Sequence, residues 1–155
     1  MPEDTAMDIP RLASFDQLSV GQRFRLGSLS LPRAEVVDFA RRFDPQPFHI
    51  EEAAGRASMF GELVASGLHT LSAAFGRSVS SGLLADINLG GNQMEIRWPA
   101  PVRPDEALDL SAEVMELRPS RTRADLGIAK FRYIAERQSD GALVLDALVT
   151  HFLKR

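Results

Sequence analysis

The sequence contains no cysteine. That excludes a disulfide-stapled scaffold, a thiol nucleophile and a thiolate-ligated metal. Positive charge is not in surplus either: 18 Lys and Arg stand against 21 Asp and Glu, a formal net charge of -3. Such a balance sets up no basic field to attract nucleic acid. No apolar stretch reaches the roughly 18 residues that mark a transmembrane helix, so no membrane span is expected. Met1 to Ser14 is polar, carries Glu3, Asp4 and Asp8, and lacks the apolar core of a secretory signal. A cytoplasmic protein is the default expectation. The histidines, His49, His69 and His151, are widely spaced and form no zinc-ligand pattern such as HExxH.

What is present is an ordinary globular composition, 45% hydrophobic and 25% charged. A chain of 155 residues suits one domain and can bury roughly 70% of its unfolded surface. No internal repeat or low-complexity linker divides it. The expected organisation is a loosely held arm over residues 1–14 and a single domain over 15–155.

Ser14 to Gln22 is expected to pack on the domain surface before a strand at Arg23 to Ser30. Pro32 opens a helix to Arg42, with Val36, Val37, Phe39, Ala40 and Phe43 on its apolar side. A short helix is expected at Glu51 to Ala57. The longest helix is expected over Ser66 to Leu84, where Leu68, Leu71, Phe75 and Val79 recur at helical spacing. Much of the rest of that segment is Ser, Gly and Ala, poor in bulk, so a sheet can approach it closely. Serine and glycine are weak helix formers, so packing must hold it. Ala85 to Asn92, with Gly90-Gly91, reads as a loop.

The remainder alternates like strands. Met94, Ile96 and Trp98 interleave with Glu95 and Arg97. Leu108, Leu110, Ala112 and Val114 alternate until the apolar positions slip to Met115 and Leu117, the mark of a bulge. Leu126 to Glu136 and Leu143 to Leu153 flank Ser139-Asp140-Gly141, a hairpin turn signal. One strand, then helices, then four strands points to α+β with an antiparallel sheet. Phe75, Met94 and Trp98 read most simply as core.

Phe43-Asp44-Pro45-Gln46-Pro47-Phe48-His49 carries the strongest chemical signal. Two prolines stop the preceding helix. Asp44 and His49 are thereby set five residues apart on irregular backbone, between Phe43 and Phe48. A carboxylate and an imidazole held together can bind one water and exchange protons near neutral pH. Each residue alone also has a plain structural reading. Asp44 can open a turn, His49 and His69 can be satisfied core histidines, and Ser66-Gly67 can be an ordinary helix cap.

This stretch resembles the signature of the MaoC-like dehydratases, the (R)-specific enoyl-CoA hydratase group of hotdog-fold proteins. Their pattern is an Asp, a Pro three residues on and a His two residues later, matched by Asp44, Pro47 and His49. Ala65-Ser66-Gly67-Leu68-His69 resembles the small residue and glycine that open the family's central helix. The resemblance covers about Gly21 to the C-terminus. It departs at Gln46, where many members have Asn, and at Pro45.

The resemblance implies a single hotdog domain, a curved antiparallel sheet wrapped around Ser66 to Leu84. It implies hydration or dehydration at the 2,3-position of an enoyl or 3-hydroxyacyl thioester, with coenzyme A the expected carrier. Asp44 and His49 would be catalytic and hold the water. Gly67 N–H, with Ser66, would bind the thioester oxygen, and Phe48 and Leu68 would line the substrate. No metal or redox cofactor is implied. A homodimer is expected, because a free sheet edge invites pairing. The alternatives are a hotdog thioesterase and a non-catalytic acyl-thioester-binding subunit. Arg118 to Arg123 could contact the phosphates of coenzyme A or form a solvated hairpin end.

Overall fold

The period-two pattern of the C-terminal half builds most of the sheet. In the computed structural model, which describes residues 9–155, five strands form one antiparallel sheet. They are β1 (Arg23–Leu29), β2 (Asn88–Arg97), β3 (Leu108–Pro119), β4 (Leu126–Arg137) and β5 (Leu143–Lys154). Their order is β1-β3-β4-β5-β2, so β1 and β2 are the edges. Three helices lie between the first two strands: α1 (Arg33–Phe43), α2 (Glu52–Ala57) and α3 (Gly67–Ser80). The architecture is the expected α+β, with the sheet curving around α3.

Side-chain alternation decides which face each strand buries. On β4, Ala129, Phe131, Tyr133 and Ala135 are buried, while Lys130, Arg132 and Ile134 between them are half-buried. Leu145, Ala147 and Val149 of β5 meet Leu71, Ala74 and Phe75 of α3. On β5 the other face is also covered. Buried Asp146 receives Arg132 at 2.9 Å and Arg97 at 2.9 Å. These hydrogen bonds, Arg132 first, hold its carboxyl below the usual range against the opposing effect of burial. The predicted bulge on β3 is present, as a register shift against β4 between Val114 and Glu116.

Four expectations need correction. The segment Ala85 to Asn92 is not all loop, since β2 begins at Asn88. It pairs with β5 through register shifts between Asn88 and Gly90 and between Gly91 and Gln93. Thr150 O would lie 2.5 Å from a Cβ on Gly91, so glycine here permits the strand contact instead of ending it. The long helix ends at Ser80, and Leu83 is buried in the turn that follows. Residues 1–8 of the expected arm lie outside the described residues, but residues 9–14 are tied down. Leu12 is buried and its N–H donates to Leu83 O, while Arg11 pairs with Asp86. Met94 and Trp98 are not core: they are 42% and 44% exposed.

A polar chain interrupts the apolar packing between α3 and the sheet. Tyr133 Oη lies 2.9 Å from His151 Nε2, and His151 Nδ1 lies 3.3 Å from Asn88 Oδ1. Asn88 Oδ1 can only accept, so Nδ1 carries the proton and Nε2 accepts from the Tyr133 hydroxyl. Burial pushes the Tyr133 phenol up to about 12 and His151 down to about 4. In the unfolded chain His151 takes up its proton near pH ~6.5. Its folded value is lower, so between those limits the unfolded state binds more protons and stability is lost as the pH is lowered. Ion-paired carboxylates such as Asp146 are depressed and stay charged over most of that window. We therefore expect the unfolding free energy from urea titration to drop from pH 7 to pH 5, by about 2 kcal/mol from His151. His69, also lowered by burial, acts in the same direction. An unchanged value at pH 5 would contradict the buried neutral imidazole.

Candidate active site

α1 ends at Phe43 because Pro45 and Pro47 cannot continue it. Asp44 serves as its C-cap, donating its N–H to Ala40 O at 2.9 Å. The chain then makes a single 3-10 turn, Pro47–His49, with Pro at its start. His49 is therefore on a tight turn. The turn is fastened to the loop before α3, with Val64 N–H donating to Phe48 O at 3.3 Å. That loop is held in turn by Ala65 N–H on Val102 O at 2.8 Å. Two short backbone contacts thus bring the residue 44–49 segment to the N-terminus of α3.

The side chains converge there. His49 is buried, and its Nδ1 lies 2.6 Å from Val64 O. A carbonyl only accepts, so Nδ1 bears the proton. Nε2 then faces Asp44 Oδ2 at 3.3 Å. Ser66, fully buried, donates its hydroxyl to the same Oδ2 at 2.6 Å. Ser66 Oγ also accepts Leu68 N–H at 3.2 Å as the N-cap of α3. The serine is thus a strut between the carboxylate and the helix, a link the sequence did not announce. Its hydrogen is committed to Asp44.

Gly67 is the first residue of α3, where backbone N–H groups have no partner within the helix. Trp98, just past the end of β2, donates Nε1–H to Gly67 O at 2.9 Å. A Cβ on Gly67 would sit 2.7 Å from Trp98 Cε2. Trp98 belongs to the surroundings of the helix start, and the alternation of β2 gave no hint of it. The glycine is needed for this close approach.

The remaining candidates separate. Phe48 is half-buried, with its ring 4.5 Å from that of His49 and 5.5 Å from that of Phe60. Leu68 is exposed. His69 is buried and stacked on Phe39, rings 4.6 Å apart, with no hydrogen-bond partner for Nδ1 among the described residues. Arg118 to Arg123 lies at the end of the sheet where Arg118 pairs with Ile128. Trp98 follows Arg97, which pairs with Asp146 at the other end. The arginine run of the same chain is therefore remote from Gly67, and the phosphate contact finds no support. No cluster of His, Asp or Glu able to hold a metal occurs among the described residues. Among them no helix is long and apolar enough to cross a membrane.

A sheet folded over a helix, with an Asp/His pair set against that helix's first turn, defines a hotdog-fold protein. The family model of the MaoC like domain matches residues 16–132, and the chain belongs to that family. A crystal structure of a MaoC-like dehydratase from Rhodospirillum rubrum is similar at 36% identity and a TM-score of 0.85. The similarity covers 92% of this chain and 97% of that one. The (R)-hydratase from A. caviae involved in PHA biosynthesis is similar at 26% identity and a TM-score of 0.62, over 86% of this chain and 96% of that one. The uncharacterized Bacillus subtilis protein YdeM is 32% identical over 114 residues, 73% of this chain and 79% of YdeM. Family and neighbours together support hydratase or dehydratase activity in general terms.

Proposed function

We propose that the protein adds or removes water at the 2,3-position of an enoyl or 3-hydroxyacyl thioester, with coenzyme A as the carrier. The observation that carries this reading is the 3.3 Å approach of His49 Nε2 to Asp44 Oδ2 beside the N-terminus of α3. With Nδ1 protonated, Nε2 and the carboxylate oxygen both seek a hydrogen. A water at their side can donate one O–H to each, which turns its oxygen lone pairs outward as a nucleophile. The two groups stand too close for a water on the line between them, so it sits beside the pair.

The water oxygen attacks the β-carbon, the C2–C3 π bond breaks, and its electron pair shifts onto the α-carbon and the thioester oxygen. Asp44 accepts a proton from that water, and the Asp44/His49 pair returns one to the α-carbon. The reaction thus consumes one water and no net proton. Charge rises on the thioester oxygen as the β-carbon is attacked. The Gly67 N–H is the donor for that oxygen, aided by the positive end of the α3 dipole. Ser66 orients the carboxylate.

The active unit is a homodimer. β2 is a free edge and carries exposed Leu89 and Met94, with exposed Trp98 just beyond it. A long unpaired strand edge invites a second copy. The test is crotonyl-CoA, followed by loss of its conjugated absorbance and by free-thiol release, together with the mass in solution. Loss of absorbance without thiol, from a particle of twice the chain mass, supports the reading. Thiol release without hydration would assign a thioesterase, and neither signal would leave only an acyl-thioester-binding role.

A further inference from the structure

Residues 98–102, Trp-Pro-Ala-Pro-Val, touch the start of α3 twice. At one end Trp98 Nε1–H donates to Gly67 O at 2.9 Å. At the other, Val102 O accepts Ala65 N–H at 2.8 Å. The two bonds flank Ser66, which is fully buried. Pro99 and Pro101 lock their own φ and keep Trp98 and Ala100 extended. The span between the two contacts is therefore stiff. Both its ends are also anchored in the body of the domain. Arg97, next to Trp98, pairs with buried Asp146 at 2.9 Å, and Val102 is itself buried. The segment is a clamp on residues 65–67.

The tryptophan end of the clamp leads further. The peptide that accepts from Trp98 at Gly67 O carries Leu68 N–H at its other end. That N–H donates to Ser66 Oγ at 3.2 Å, and the Ser66 hydroxyl donates to Asp44 Oδ2 at 2.6 Å. Donor follows donor in one direction from the indole to the carboxylate. A carbonyl that accepts a hydrogen bond makes its own amide N–H a better donor, so each bond strengthens the next. An indole that is 44% exposed can satisfy its N–H with water. Here the N–H is turned inward, onto the one peptide that joins the helix start to Asp44.

We infer that Trp98 is a positioning residue: its indole N–H fixes Gly67 and, through Leu68 and Ser66, Asp44, so that the thioester oxygen and the water are held in register. What those two places bind rests on the hydratase reading; the hydrogen-bonded clamp does not.

Trp98 is the chain's one tryptophan, so a tryptophan analogue supplied during expression alters this position alone. Benzothienylalanine keeps the shape of the ring and puts sulfur in place of the N–H. A ring-fluorinated tryptophan keeps the donor. With crotonyl-CoA, the benzothienyl protein is expected to show a kcat roughly 3- to 10-fold below that of the fluorinated one, with KM the same within about twofold. Exchange of the Leu68 amide hydrogen should be faster by a similar factor, with that of buried Phe131 in β4 as the control for global folding. Equal kcat values overturn the inference. So does a rise in KM at constant kcat, which would make Trp98 a substrate contact. Unchanged Leu68 exchange also overturns it, and hydration of crotonyl-CoA alongside that result leaves the hydratase reading standing. Faster Leu68 exchange in a protein that hydrates no crotonyl-CoA removes the hydratase reading and keeps the clamp.

Discussion

Asp44→Asn lowers the rate of crotonyl-CoA hydration by about 10²-fold or more and leaves the domain folded. The size follows from the hydrogen-bond arrangement. Asp44 Oδ2 now takes the Ser66 hydroxyl at 2.6 Å and faces His49 Nε2 at 3.3 Å. Asparagine keeps the shape and can still accept from Ser66 through its carbonyl. Both contacts fall on this one oxygen, so the carbonyl of asparagine takes its place, and a neutral amide cannot accept a proton from the water as the carboxylate does. A single substitution thus removes the base and leaves the shape of the site intact. His49→Ala should cut the rate at least as far. It also strands Val64 O, which loses the Nδ1–H at 2.6 Å, at about 1–3 kcal/mol of stability. The measurements are steady-state rates with urea unfolding of each variant. Near wild-type turnover in Asp44→Asn would end the assignment.

The site was legible in the sequence to the extent that it is local. Asp44 and His49 sit on one short segment, and the prolines that end α1 are visible as letters. Ser66 and Gly67 were legible as a helix start, because a cap followed by an apolar period has a chemical reason. What was not legible is what crosses the chain. The Ser66–Asp44 bond spans 22 positions and the Trp98–Gly67 bond 31. Neither residue type demands a particular partner, so spacing says nothing about either. Val64 contributes only a backbone carbonyl, invisible to any side-chain reading.

The fold shows the same division. Alternation located β3, β4 and β5 within a residue or two, and the slip at Met115 marked the β3 bulge. β2 was entered late because Gly90-Gly91 reads as a turn, yet Gly91 is there for the approach of Thr150 O. Met94 and Trp98 read as core in the sequence because period two tells which side chains share a face. It does not tell whether that face is covered by the same chain.

Gly67→Ala should cost about as much activity as losing an oxyanion donor, roughly 10²-fold. The added methyl would lie 2.7 Å from Trp98 Cε2 and 2.8 Å from Nε1. Trp98 is half-exposed, so its ring can swing aside. Doing so breaks the Nε1–H bond to Gly67 O at 2.9 Å and releases the first turn of α3. The Gly67 N–H then loses its fixed direction, while Ser66 still caps Leu68 N–H. The fold should survive with a loss on the order of 1 kcal/mol, so the effect falls on turnover. A double-mutant cycle separates the two causes. Trp98→Ala alone should slow hydration only a few-fold, since it frees the first turn without crowding it. In the Gly67→Ala background it should restore part of the rate, because the methyl no longer meets a ring. If the two losses instead simply multiply, the clash is not the cause and the methyl acts by obstructing the substrate. If Gly67→Ala hydrates crotonyl-CoA at the wild-type rate, the thioester oxygen is bound elsewhere.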